Sequence, residues 1–149
     1  MKKHKKRNPV KTLQNKAAKL WKEYCFVRDG RICQVRKYYP EIEIEHDTVL
    51  QVDHMITRKN KFLFFEPANG TVVCRNCNNA KHWDNKSVGR AIDDIVKRRE
   101  GTVKYEEMVC LDMAKSGNND FHKVWWIEEQ IDKLQKGIET LKAEMGVEK

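Results

Sequence analysis

The segment from residue 49 to residue 83 constrains the fold more than any other, because its pattern changes repeatedly over a short distance. A β-prone run leads into Asp53-His54, and Thr71-Val72-Val73 predicts a second short strand. The sequence between them has no clear period, which indicates an ordered loop around the apolar cluster Phe62-Leu63-Phe64-Phe65. From Cys74 the pattern becomes helical at once. A strand, a loop, a strand and a helix in direct succession predict an α+β fold.

Helices are predicted on both sides of this segment. The first begins at Asn8-Pro9 and ends near Asp29-Gly30, because Asn can cap a helix, Pro can occupy its first turn and Gly can end it. Two further helices follow the segment and end at Gly101 and Gly117.

A hairpin is predicted immediately upstream of Asp53-His54. Ile42 and Ile44 alternate with charged residues, and the turn-like His46-Asp47 separates them from the next apolar residues. In this interpretation, the strand that carries Asp53-His54 pairs with the residues just before it.

The C-terminal segment carries an apolar seam at alternating steps of three and four, following Asp120 as a predicted N-cap. The seam consists of Val124, Ile127, Ile131, Leu134, Ile138, Leu141 and Met145. Trp125 and Trp126 add a large aromatic surface at its start. Three interpretations stay open: a long helix packed on its own domain, a coiled-coil homodimer, or a docking helix for another protein.

Charge indicates the class of partner. The 149 residues include 30 Lys and Arg against 22 Asp and Glu, a formal net charge of +8, and the sequence pI is 9.3. This excess favours a polyanion, and nucleic acid is the obvious one. No run approaches the roughly 18 consecutive apolar residues of a membrane span. The basic N-terminus also lacks the apolar core of a secretory signal, so we expect a cytoplasmic protein without membrane contact.

The chain has five cysteines, an odd number without the spacing of a disulfide framework, which favours free thiols or metal ligands. Cys74-x-x-Cys77 is half of a tetrahedral thiolate site. A structural zinc ion held by Cys33, Cys74 and Cys77 is one interpretation, with the fourth ligand unidentified, since Cys25 falls within the predicted first helix. The alternative is that the thiols are small core residues, as we expect for Cys110.

Polar residues suited to phosphodiester hydrolysis lie in the same segment. His54 can act as a general base near neutral pH if another group holds its ring, and Asn69 could do that. Asn78 and His82 share a helix face and could converge with Asp53 on one divalent cation. Oxygen ligands suit Mg²⁺ or Mn²⁺, whereas an imidazole favours a softer transition metal. The other histidines, expected to be solvated or to serve local structure, are His4, His46 and His122.

These residues resemble the HNH, or ββα-metal, endonuclease motif. Asp53-His54, Asn69 and the segment from Cys74 to Lys81 agree with it in order and spacing. The resemblance implies a ββα-metal finger at about residues 49–83, embedded in a mainly helical domain with a long C-terminal helix. It also implies that His54 is the base, that Asn69 orients it, and that Asp53 and Asn78 bind metal. His82 matches only those subfamilies with a second helical ligand.

A weaker likeness extends to the phage NinG recombination endonucleases. It rests on Phe65 to Gly70 before the cysteines and on residues 91–101 and 105–108 after them. The chain differs in having Asp53 where a Gly usually precedes the His, and in lacking a complete second cysteine pair. The likeness implies branched DNA, such as Holliday junctions, as the substrate, and the cytoplasm of a host cell as the location.

We expect a basic flexible arm at residues 1–8, a nuclease domain at residues 9–117 and a C-terminal dimerisation or docking helix at residues 118–149. Lys81 could stabilise the charge of the phosphate. The arm, the loop between the strands and the following helices carry the cations expected to contact DNA. These cations are Lys2, Lys3, Lys5, Lys6, Arg7, Arg58, Lys59, Lys61, Lys86, Arg90 and Arg98.

The sequence thus predicts a metal-dependent endonuclease that hydrolyses DNA, with Mg²⁺ or Mn²⁺ as the preferred cation. Two alternatives stay open. One is a site-specific homing or nicking endonuclease, which would prefer one sequence rather than a branched structure. The other is a non-catalytic, zinc-stabilised nucleic-acid-binding module that keeps the finger as a scaffold.

Overall fold

A computed structural model of the protein describes residues 8–83, 85–113 and 119–146. Within these residues the fold is α+β and mainly helical, with a single two-stranded antiparallel sheet. The helices are α1 (Pro9–Asp29), α2 (Gln34–Tyr38), α3 (Arg75–His82), α4 (Lys86–Glu100), α5 (Thr102–Met113) and α6 (Val124–Glu144). The strands are β1 (Leu50–His54) and β2 (Gly70–Cys74). The predicted arm cations from Lys2 to Arg7 and the predicted helix end at Gly117 lie outside the described residues.

Helix α1 begins and ends where its capping residues predicted. The Asn8 side chain accepts a hydrogen bond from the backbone N–H of Val10 at 3.0 Å, and Pro9 fills the first helical position. Gly30 has a φ of 74° and donates its N–H to the carbonyl of Phe26 at 3.1 Å. The left-handed backbone at Gly30 ends the helix at little steric cost because glycine has no Cβ.

The predicted hairpin upstream of Asp53-His54 is wrong, because β1 pairs with β2 instead. Asp53 lies opposite Thr71 and His54 lies opposite Gly70 in the antiparallel register. The segment that carries Ile42 and Ile44 is bound to α3 instead, because the Asn76 side chain donates to the carbonyl of Glu45 at 2.8 Å. Ile42 and Ile44 also pack against the apolar cluster around Val35 rather than beside β1.

The apolar seam of α6 packs on its own chain. Ile127, Ile131 and Leu134 are buried in one cluster with Ala17 and Trp21 of α1. The two helices approach closely at Gly137, where an added Cβ would lie 2.7 Å from the Tyr24 ring. The surface of α1 therefore covers the middle of the seam, as the first of the three interpretations requires, whereas Val124 and Met145 at its ends are exposed. Pairing of two chains stays a prediction.

The start of α6 differs from the sequence prediction. The residues Asn119–His122 form a short 3-10 helix, and Lys123 is the N-cap of α6 in place of Asp120. Trp126 is buried, whereas Trp125 remains exposed. A membrane-spanning helix, which must be both long and apolar, does not occur in the described parts of the chain.

A buried carboxylate joins α1 to β2 and α4. The Asp29 side chain, 4% exposed, accepts hydrogen bonds from Arg28 at 2.7 and 3.0 Å and from the backbone N–H of Val72 at 2.9 Å. The guanidinium groups of Arg28 and Arg99 both donate to the carbonyl of Gly70, at 2.6 and 3.0 Å. Arg99 also lies 3.8 Å from the Asp29 carboxylate. Asp29 thus neutralises two cations that hold the first residue of β2.

We expect Asp29→Ala to lower the free energy of unfolding by about 3–5 kcal/mol, because it leaves the buried guanidinium of Arg28 without its carboxylate, whereas Arg99 keeps its ion pair with Glu100. Urea denaturation monitored by circular dichroism measures this change. Asp132→Ala removes a carboxylate that pairs with Lys136 on the surface of α6 and serves as the control, with no change beyond error. Equal stability of the two variants would contradict the role assigned to Asp29.

Candidate functional site

A cleft of about 1120 Å³ lies between α1, β1, α3 and the loop that joins the two strands. Residues predicted as catalytic or metal-binding line one part of it, and cations of the loop line another. The former are Asp53, His54, Asn78, Lys81 and His82, and the latter are Arg58, Lys59 and Lys61. Lys22 of α1 also lines the cleft and was not identified from the sequence. Positive charge thus surrounds a group of potential acid, base and ligand side chains.

The His54 ring contacts both α1 and the loop that joins the two strands. Its ring stacks on Trp21 with centroids 4.1 Å apart and an angle of 16° between the planes. Its Nε2 lies 2.9 Å from the carbonyl oxygen of Phe64. A carbonyl only accepts hydrogen bonds, so Nε2 carries the proton and Nδ1 is the basic nitrogen. Burial lowers the pKa of His54 to about 4, which leaves the ring neutral near pH 7.

Trp21 was not predicted as a site residue, although it determines the plane of the His54 ring. Its indole N–H donates to the carbonyl of Glu66 at 2.9 Å, and the side chain is only 1% exposed. Trp21 lies within the first predicted helix, and that placement alone does not tell which side chain a Trp will contact. Stacking of this kind restrains the imidazole without taking up either ring nitrogen.

Asn69 does not contact His54 directly, contrary to the expected orienting role. Its Oδ1 accepts a hydrogen bond from the backbone N–H of Ile56 at 2.6 Å. Its Nδ2 donates to the carbonyls of Ile56 and Leu63 at 3.0 and 3.1 Å. These bonds hold both ends of the loop that delivers the Phe64 carbonyl to His54. Asn69 therefore orients the ring through the backbone of the loop.

Asp53 and Lys81 form a close ion pair at the end of β1. The Asp53 carboxylate is 2% exposed, and its Oδ2 lies 2.6 Å from Nζ of Lys81. Lys81 also donates to the backbone carbonyl of His54 at 2.9 Å. The other oxygen of Asp53 lies 4.0 Å from Nε2 of His82. Burial raises the pKa of Asp53, and the nearby Lys81 ammonium opposes this shift.

Asn78 contains a buried oxygen without a partner. Its Nδ2 donates to Oε1 of Gln51 at 2.7 Å, whereas its Oδ1 makes no hydrogen bond among the described residues. Such an atom is rare because burial without a hydrogen bond costs about 1–3 kcal/mol. Gln51 lies on the same face of β1 as Asp53, two positions earlier, which is the only sequence signal that could have identified it.

A second group of potential ligands lies at the other end of α3. Cys33, His46, Cys74 and Cys77 each present one ligand atom, and these atoms all lie within 4.8 Å of one another. The sulfur atoms of Cys33 and Cys77 are 3.8 Å apart, and Nδ1 of His46 is 3.6 and 3.5 Å from the sulfur atoms of Cys74 and Cys77. Sulfur ligands about 2.3 Å from a tetrahedral zinc ion lie about 3.8 Å from each other. The cluster could bind a metal such as zinc.

His46 lies with the three predicted cysteines in one cluster, a placement that its grouping with the solvated or local-structure histidines did not anticipate. No spacing in the sequence indicated it, because His46 lies in an irregular segment well before Cys74. Cys25, the alternative fourth ligand, is buried against Trp21, and burial raises its pKa to about 12. Cys110 is exposed rather than part of the core.

Hydrogen bonding within the cluster changes the acidity of its thiols in opposite directions. The contact with Cys77 lowers the pKa of Cys33 to about 4, and the same contact raises the pKa of Cys77. A bound metal requires thiolates, so the cluster already favours one of the ligands in its charged form.

The remaining predicted cations occupy different surroundings. Lys61 lies 4.9 Å from the centroid of the Phe64 ring at the cleft, and Lys86 lines a smaller cavity of about 290 Å³ beside α3. Arg90 is exposed on α4. Arg98 forms an ion pair with Asp94 at 2.7 Å. Of these cations, the loop residues are the ones that the structure brings next to His54.

Comparison of the chain with protein-family models, curated proteins and solved structures gives no match. The assignment of a function therefore depends on the geometry and chemistry of the described residues.

We expect the purified protein to contain about one equivalent of tightly bound metal, as one tetrahedral site predicts. Cys77→Ser and His46→Ala should each lower the metal content and the melting temperature, because each removes one ligand of the cluster. Elemental analysis and thermal unfolding measure these effects. Cys110→Ser, at an exposed thiol, is the control and should keep both values. Full metal content in the cluster variants would contradict the assignment.

We expect Asn69→Ala to lower the free energy of unfolding by about 2–5 kcal/mol, because it leaves the buried N–H and carbonyl of Ile56 without partners. Amide hydrogen exchange should also become faster in residues 55–66. The exposed Asn79→Ala of α3 is the control. If exchange in the loop is the same in both variants, Asn69 does not hold the loop.

Proposed function

We propose that the protein is a metal-dependent endonuclease of the HNH type that hydrolyses DNA phosphodiester bonds. The observation that carries the proposal is the His54 ring, with Nε2 donating to the Phe64 carbonyl, beside the buried Asp53 in a cation-lined cleft. The succession of β1, β2 and α3 around these residues agrees with the ββα arrangement that the sequence resemblance implies. A protein that only bound nucleic acid would gain nothing from a buried base and carboxylate side by side.

The donor set at the cleft fits a divalent cation. Asp53 and Asn78 offer oxygen atoms, and the Oδ1 of Asn78 is buried without a partner. His82, whose Nε2 is 4.0 Å from Asp53, offers a nitrogen. We infer that Asp53 and Asn78 hold the cation, with His82 as an additional ligand. Bound there, a divalent cation would polarise the scissile phosphate and stabilise the charge of the leaving oxygen.

The residues of the chain then have separate tasks in the reaction. Nδ1 of His54 accepts a proton from water while the water oxygen forms a bond to phosphorus and the bond to the 3′-oxygen breaks. Trp21 and the Phe64 carbonyl keep the ring in one tautomer and one plane, so the base is ready without reorganisation. Before a cation binds, Lys81 contacts both Oδ2 of Asp53 and the backbone carbonyl of His54, and so holds the ligand and the base in place.

The cations of the loop provide the contact with the substrate. Arg58, Lys59 and Lys61 line the cleft, and contacts of this type to phosphate bind DNA without reading its sequence. Preference for branched recombination intermediates follows from the likeness to the NinG endonucleases and is part of the proposal.

We also propose that the metal of the Cys33, His46, Cys74 and Cys77 cluster is a structural zinc ion, because three thiolates and one imidazole form a closed tetrahedral set.

We expect His54→Ala to reduce DNA cleavage by at least about 10²-fold, because it removes the general base. DNA binding should stay near that of the wild type, since the loop cations are unchanged. The assay incubates linear duplex, single-stranded, flap and four-way-junction DNA with Mg²⁺, Mn²⁺ or chelator, and cleavage is analysed on a denaturing gel. His122→Ala, at an exposed histidine, is the matched control.

Metal-dependent cleavage that is preferential for branched substrates and lost in His54→Ala supports the whole proposal. Equal cleavage of all substrates would support the hydrolytic chemistry and contradict the branched preference. Binding without cleavage under any of these conditions would favour a non-catalytic nucleic-acid-binding module.

A further inference from the structure

Lys81 lies between two cavities. It lines the main cleft together with Asp53 and also lines the smaller cavity of about 290 Å³ on the other side of α3. Its ammonium group now lies on Asp53, at 2.6 Å. An oxygen of the inferred metal ligand is therefore paired with a cation of the protein itself.

Asp93 of α4 also lines the smaller cavity. Its carboxylate is half-buried and has no hydrogen-bond or ion-pair partner among the described residues. Its electrostatic environment contains both Lys81 and Asp53. The neighbouring Asp94 differs, because it accepts a hydrogen bond from Tyr39 and pairs with Arg98. Asp93 is thus a carboxylate without a direct partner among the described residues, at the second cavity that Lys81 lines.

A divalent cation on Asp53 requires Lys81 to leave, since two cations next to one carboxylate repel each other strongly at this degree of burial. An ammonium group that left without a new partner would be buried and unpaired, at a cost of several kcal/mol. The smaller cavity offers both space and a carboxylate for it.

We propose that Asp93 is a positioning residue that accepts the Lys81 ammonium when a divalent cation binds to Asp53. The exchange moves one ion pair, from Lys81 with Asp53 to Lys81 with Asp93, and leaves the net charge around the ammonium unchanged. Asp93 acts through Lys81 and touches neither substrate nor metal. The inference depends on the metal site of the proposed function.

The test is a double-mutant cycle on Mn²⁺ binding, measured by isothermal titration calorimetry with the full chain. The heat of Mn²⁺ binding that is lost in the Asp53→Asn variant is assigned to the site at Asp53. Asp93→Asn should weaken this binding about tenfold, within the range of direct couplings between side chains, because Lys81 then has no second partner. Asp94→Asn removes the same charge one position along α4 and should change the affinity less than about twofold. Thermal unfolding checks that each variant is folded.

The decisive comparison is made in the Lys81→Met background. If Asp93 acts through Lys81, then Asp93→Asn has no further effect on Mn²⁺ affinity in that background. If the weakening persists there, Asp93 acts only by its charge and the inference is overturned. No weakening in the wild-type background overturns it as well.

The outcomes separate this inference from the proposed function. Mn²⁺ binding that depends on Asp53, with no coupling between Lys81 and Asp93, overturns the inference alone. Coupled Mn²⁺ binding without any DNA cleavage overturns the proposed activity and supports the inference. Mn²⁺ binding that does not depend on Asp53 overturns both the inference and the metal site.

Discussion

The buried carboxylate of Asp29 is the interaction on which the geometry of the cleft depends. It balances Arg28 and Arg99, and both guanidinium groups hold the carbonyl of Gly70 at the start of β2. Gly70 follows Asn69 directly, so the same network fixes the position of Asn69, whose side chain binds the backbone of the loop. An added Cβ at Gly70 would lie 2.5 Å from the sulfur of Cys25, which leaves room only for glycine. The charges of this network thus hold the residue that lies opposite His54 in the sheet.

Helix α3 separates the Cys/His cluster from the cleft. Cys74 at its N-cap and Cys77 in its first turn belong to the cluster with Cys33 and His46. One turn later, Lys81 and His82 line the cleft. A metal in the cluster would therefore fix the start of the helix against β2, and the rigid helix would carry that restraint to the residues around Asp53. Loss of the cluster should for this reason loosen the cleft as well as the core.

The sequence predicted the parts of this structure that depend on neighbours along the chain. Helix α1, the strand that leads into Asp53-His54, and the helical face with Asn78 and His82 all follow from caps and periodicity. His46, Trp21 and Gln51 were missed because their roles arise from contacts between distant segments, which no local pattern encodes. The predicted hairpin was wrong for the same reason. Alternation of Ile42 and Ile44 indicated an apolar face, but it could not tell which residues that face contacts. In the structure the face packs against the cluster around Val35, and Asn76 of α3 binds the carbonyl of Glu45.

The pairing of α1 with α6 has a consequence for synthesis on the ribosome. Trp21, which forms one wall of the cleft, belongs to a core that needs Ile127, Ile131 and Leu134 from the last helix. A nascent chain that has already produced the strands and α3 still exposes the inner face of α1. The cleft wall is completed only when α6 has left the exit tunnel, so a partly translated chain holds Asp53 and His54 without the support that orients them.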